Sequence, residues 1–149
     1  MSPSPAFALV AVVLCICATK SVEGAKPASA KSERPAVQAE LAKKVAAIDL
    51  HVRQWETMQM AYHQETELVT GRWQTLGFEP PQDQSVVTYQ EGDKSLVMRL
   101  NQEVGQCPKG AKWTVRAKPS AEGIWEVTFH RTRTHKACDE LLPQFRPKP

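Results

Sequence analysis

Long apolar runs, a strongly one-sided charge and any recognisable catalytic motif are missing from this chain of 149 residues. Its one apolar block, Ala6 to Ala18 (AFALVAVVLCICA), is too short to cross a bilayer of roughly 30 Å as a helix. Nineteen basic against sixteen acidic residues leave only +3. That surplus is too mild to argue for nucleic acid, which asks for a concentrated basic face. There is no phosphate loop and no nucleophile elbow, and Glu65 and Glu67 fall on opposite flanks of a helix instead of pairing as acid and base. No catalytic residue, cofactor or metal ligand is therefore assigned, and the chain reads as a non-enzyme. Its length excludes a large multidomain enzyme. What is present, 42% hydrophobic and 23% charged residues with 11 prolines, describes one folded domain with irregular ends.

The short apolar block has the length of a signal-peptide core, and the small residues near Gly24 and Ala25 offer a cleavage point, so residues 1–25 read as an export leader. A lipid anchor at Cys15 or Cys17, or an uncleaved anchor, are the alternatives. After cleavage no membrane span would remain. Two of the four cysteines leave with the leader, and Cys107 and Cys138 stay as an even pair in an oxidising space, which favours a disulfide over a metal site; two unpaired thiols in a reducing cytosol are the alternative. Closing a loop of about 30 residues contributes roughly 3 to 4 kcal/mol by chain entropy.

Residues 26–35 mix Pro, Ala, Ser and Lys without an apolar face and read as a flexible tether, leaving a single domain over 36–149. From Ala36 to about Val69, apolar residues recur at Val37, Leu41, Val45, Ile48, Val52, Trp55, Met58, Tyr62 and Val69. Steps of three, four and seven predict one long amphipathic helix of roughly 50 Å, stopped by Thr70-Gly71. Its first half would outrun a small domain. His51 and His63 should be exposed on it. A connector with Trp73, Leu76 and Phe78 follows, then four strand-like runs: Val86 to Glu91, Ser95 to Asn101, Lys112 to Lys118 and Ile124 to His130. Gly92-Asp93 should turn the first pair. The expected fold is α+β, with the helix covering one face of a four-stranded antiparallel sheet.

This order of elements resembles the soluble head of type IV pilins and type II secretion pseudopilins. Gln59-Met60-Ala61-Tyr62-His63-Gln64-Glu65-Thr66-Glu67 followed by Trp73-Gln74-Thr75-Leu76-Gly77-Phe78-Glu79-Pro80-Pro81 is similar to the helix end and connector of some pilin-like proteins. Cys107-Pro108-Lys109-Gly110-Ala111-Lys112-Trp113-Thr114-Val115, with Cys138 before Leu141-Leu142-Pro143-Gln144-Phe145, is similar to their sheet and closing loop. The likeness covers about residues 36–146. It implies a structural or interaction subunit of a pilus or secretion-type envelope assembly, with protein partners or self-association through the long helix. The pilin N-terminal signature is absent, and Lys43, Lys44, Asp49 and Arg53 stand where a filament core would need apolar helix. A pilin-like head on an ordinary export signal is the form of the resemblance that fits.

Partner-binding candidates follow from charge and aromatics. From Gly105 onward nine Lys and Arg face four Asp and Glu, concentrating positive charge around Arg131, Arg133 and Lys136. Such an end would suit an acidic envelope polymer or an acidic neighbour; a solvated strand end is the plainer reading. Trp55 is the candidate for an exposed aromatic platform, because it lies on a helix expected to project, whereas Trp113 and Trp125 fall on inward-facing strand positions. His130, His135 and Cys138 would make a metal set only if Cys138 were a thiol. The alternative to an assembly subunit is an independent periplasmic or secreted binding module using this basic end and exposed aromatics.

Overall fold

The computed structural model describes residues 30–121 and 126–147, with side chains from Arg34 onward. The expected leader, the first residues of the tether and Trp125 lie outside the described residues.

Two helices, α1 (Ala30–Ala46) and α2 (Ile48–Thr66), run on as one rod. Ala47 between them keeps right-handed helical angles. The Ala47 N–H reaches the Lys43 carbonyl at 3.1 Å, and the His51 N–H reaches that of Ala47 at 3.4 Å. The helix begins at Ala30, inside the stretch expected to be a tether, and Pro35 lies within it. Ala, Lys and Glu favour helix by propensity even where no apolar face announces one. The rod stops at Thr66, before the expected Thr70-Gly71: Glu67 adopts a left-handed φ of 60° and donates its N–H to the His63 carbonyl at 2.7 Å. A C-cap of that geometry closes a helix and favours glycine, so here an ordinary side chain carries the strain.

Strands β1 (Val87–Gly92), β2 (Ser95–Leu100), β3 (Lys112–Pro119) and β4 (Val127–Arg133) form an antiparallel meander in the order β1-β2-β3-β4. Gly92 pairs with Ser95, so the first turn is Asp93-Lys94, one residue later than expected, with Lys94 at φ 51°. Strand β4 also sits later than the sequence suggests and extends to Arg133, because Arg131 and Arg133 occupy inward positions where alternation alone would ask for apolar residues. Carboxylate partners, described below, make those positions habitable.

The sheet turns Val87, Tyr89, Leu96, Met98, Leu100, Trp113, Val115 and Ala117 towards the helix. Ile48, Val52 and Trp55 meet them, all fully buried. Each such side chain contributes roughly 1.5 to 3 kcal/mol by leaving water. The buried helical stripe begins at Val45, while Val37, on the same stripe, is 55% exposed. Only the start of the rod outruns the sheet. Further along, the inward positions are polar, Gln59 and His63, both buried.

Two covalent or close contacts fix the periphery. Cys107 and Cys138 form a disulfide with Cα atoms 4.6 Å apart, tying the β2–β3 loop to a 3-10 turn at Lys136–Cys138. In the connector, Gly71 lies so near the β1–β2 hairpin that a Cβ there would sit 1.7 Å from the Gly92 carbonyl oxygen. A short helix, α3 (Trp73–Leu76), follows; the Trp73 N–H donates to Glu91 Oε1 at 2.6 Å, and the Trp73 and Phe78 rings meet edge to face.

Candidate functional site

Strand β4 carries two of the expected partner-binding residues, and the structure gives both an internal partner. Arg131 grips Glu56 of α2 through Nε at 3.1 Å and Nη2 at 2.8 Å, and its guanidinium lies 5.9 Å above the Phe145 ring. Arg133 pairs with Asp139 through both Nε and Nη2, the latter at 2.7 Å. The Arg133 guanidinium holds the Asp139 carboxyl below the usual carboxylate range, and Asp139 in turn raises Arg133. Charge-assisted paired contacts of this kind fasten strand to helix and strand to C-terminal segment. Arg131 and Arg133 are thus struts first. Lys136 is exposed on the adjoining 3-10 turn.

Between the β4 strand and the second 3-10 turn (Pro143–Phe145) lies a cleft of about 870 Å³, lined by Glu56, residues 129–133 and residues 144–147. Arg146, 56% exposed at the side chain, stands at its margin and reaches the Asp139 carbonyl at 3.3 Å. Phe129 forms the cleft's apolar floor and meets Trp55 edge to face. Trp55 itself is fully buried, which corrects its reading as an exposed platform: the sheet extends beneath residue 55, and the projecting part of the rod lies some five turns earlier by the helical repeat. Trp113 is buried as its strand parity requires.

The opposite sheet face offers a different chemistry. Thr88, Gln90, Val97, Arg99, Lys112, Thr114, Arg116, Lys118, Thr128, His130 and Thr132 point away from the helix. Arg99 pairs in register with Lys112, placing two cations side by side. Arg116 and Lys118 continue along β3 at about 6.6 Å per two residues. Lys109 borders a shallow hollow of about 290 Å³ with Arg99, Thr88 and Gln90. Among the described residues none of Arg99, Lys109, Lys112, Arg116 and Lys118 is ion-paired, and Glu126, just ahead of β4, is the acidic residue on that alternation. Sequence reasoning missed this face because it placed the charge at the chain's end, whereas strand parity gathers it on β2, β3 and the loop between them.

Gln59, His63 and His51 were also missed as structural groups. The Gln59 carboxamide engages the backbone of Thr70 at both atoms. His63 Nδ1 lies 3.3 Å from the Leu68 carbonyl. His51, half-buried instead of exposed, sets Nδ1 2.7 Å from the Tyr89 hydroxyl. Burial lowers the His51 pKa and raises that of Tyr89. Beside them, on the outside, Lys44 and Asp83 pair at 2.7 Å; the ammonium holds the Asp83 carboxyl well below its ordinary range, and Asp83 raises Lys44. Among the described residues no group of three or more His, Cys, Asp and Glu side chains could hold a metal ion, and Cys138 is committed to the disulfide. No helix among them is long and apolar enough to cross a membrane.

No family model matches the chain, and no curated protein or solved structure matches it.

Proposed function

We propose that this protein is an exported, non-catalytic interaction module that binds an acidic envelope polymer through the outer face of its sheet. The observation that carries this reading is the row of cations Arg99, Lys112, Arg116 and Lys118 on one pleated surface, without ion-pair partners among the described residues and interleaved with threonine hydroxyls. A flat array of this kind is suited to repeated carboxylate or sulfate groups, with affinity that comes from charge and falls with salt. The Cys107–Cys138 disulfide accords with an oxidising compartment. Retention of the protein on immobilised dextran sulfate tests the idea. Salt-dependent retention lost in K112E/R116E supports it, and equal retention of that variant overturns it.

A second reading, membership of a pilin-like assembly, is favoured by Val37, which continues the apolar stripe of the rod yet is 55% exposed where the sheet no longer covers it. In that case a partner, or another copy, would cover the start of α1. Sedimentation of the wild type beside Val37→Glu distinguishes the readings: self-association abolished by the substitution favours the assembly, and a monomer in concentrated solution weighs against it.

A further inference from the structure

The hydrogen-bond phase of the last strand pair determines which backbone groups of β4 are left over. Thr134 donates its N–H to the Lys112 carbonyl, and Ser120 donates its own to Glu126. Both pairs lie on the β3–β4 register, so the even-numbered residues of β4 bond to β3. The N–H and C=O groups of Val127, Phe129, Arg131 and Arg133 consequently point out of the sheet, and among the described residues they have no hydrogen-bond partner. At the other edge one outward group is capped: the N–H of Tyr89 on β1 is met by Gln84 Oε1 at 3.0 Å.

An open edge beside a cleft is a place where one more strand can pair. The cleft of about 870 Å³ is bordered by residues 129–133 of that edge strand, by Glu56 of the helix, and by the 144–147 segment with Phe145. From Val127 to Arg133 the edge extends about 20 Å, enough for a bound segment of roughly six residues. Charge selects the occupant. Three guanidiniums, Arg131, Arg133 and Arg146, face two carboxylates, Glu56 and Asp139, leaving a positive surplus on the exposed Arg146. A second copy of β4 would bring the same surplus and be repelled.

From these relationships we infer that the β4 edge is a docking site for an extended, acidic peptide segment, which adds to the sheet as a fifth strand within the cleft. Main-chain bonds to residues 127, 129, 131 and 133 supply the pairing, and a carboxylate near Arg146 supplies the preference. This surface is separate from the outer face, and the inference does not depend on polymer binding there.

The test uses the whole protein, a peptide in which valine and glutamate alternate, and the same peptide N-methylated at alternate residues. Hydrogen–deuterium exchange is followed residue by residue. With the unmethylated peptide the amides of Phe129, Arg131 and Arg133 slow by about tenfold or more, while those of Thr128, His130 and Thr132, already paired, change little. The N-methylated peptide gives no slowing. Arg146→Glu weakens the acidic peptide about fivefold or more and leaves the fold intact, whereas K112E/R116E has no effect on it. Binding that leaves the odd-numbered amides unprotected, no binding by either peptide, or protection that grows with protein concentration in the absence of peptide would each overturn the inference, the last by assigning the edge to a second copy.

Discussion

Gln59 presents both ends of its carboxamide to one residue: Nε2 donates to the Thr70 carbonyl, and Oε1 accepts the Thr70 N–H at 3.3 Å. The side chain stands in for a strand partner, binding the returning connector to a fully buried helical position. Replacement by leucine preserves volume and leaves two backbone groups unsatisfied, each at about 1 to 3 kcal/mol. Gln59→Leu is expected to lower stability by roughly 2 to 6 kcal/mol in urea unfolding.

The Arg131–Glu56 pair should behave as a coupled unit. Either alanine substitution strands a partly buried charge, at about 1.5 to 3 kcal/mol. In a double-mutant cycle the two changes together should cost clearly less than their sum. Additivity would show that strand and helix are held by packing alone.

Removing the Cys107–Cys138 bond enlarges the unfolded ensemble by opening a loop with a sequence separation of 31 residues. The serine double variant should lose roughly 3 to 4 kcal/mol, and reductant should lower the melting temperature of the wild type but not of that variant.

His51 gives the stability curve a recognisable step. Burial depresses its folded-state pKa below the ordinary 6.5, so the unfolded chain takes up the proton first as pH falls. The contribution is complete above about pH 6.5 and is lost on acidification below it. His51→Asn should flatten that window. The depressed carboxyls of Asp83 and Asp139 release their contribution only below about pH 4, so the two phases separate in a pH series of urea melts.

At Glu67 a side chain occupies the left-handed region that glycine adopts without a clash. Glu67→Gly should raise stability by about 1 kcal/mol, read as a higher urea midpoint at unchanged slope. A loss would mean that the Glu67 side chain makes compensating contacts.

The four strands and the order of the sheet were legible because alternation at Trp113, Val115 and Ala117 is uninterrupted and the turns carry Gly, Asp and Pro. The disulfide followed from an even cysteine pair once the leader was set aside. What escaped notice was every inward polar group. Gln59 and His63 sit where a helical stripe should be apolar, so apolar periodicity runs through Met58 and Tyr62 instead, both only half-buried. Arg131 and Arg133 hid the end of β4 in the same way. Hydrophobic periodicity cannot recognise an inward charge whose partner is distant in the chain, and Glu56 is 75 residues from Arg131. The expected site residues met the same obstacle: their charge was visible, their internal partners were not.

Because each strand in the meander lies beside its neighbour in sequence, the strands can pair by local search, with little loop entropy to overcome. The rod is different. Its most distant bonds to the rest of the molecule join Gln38 to Gly105, 67 positions on, and Glu56 to Arg131, 75 positions on. The rod can therefore be seated at these two points only once the chain has been made as far as Arg131, long after its own helical turns can form.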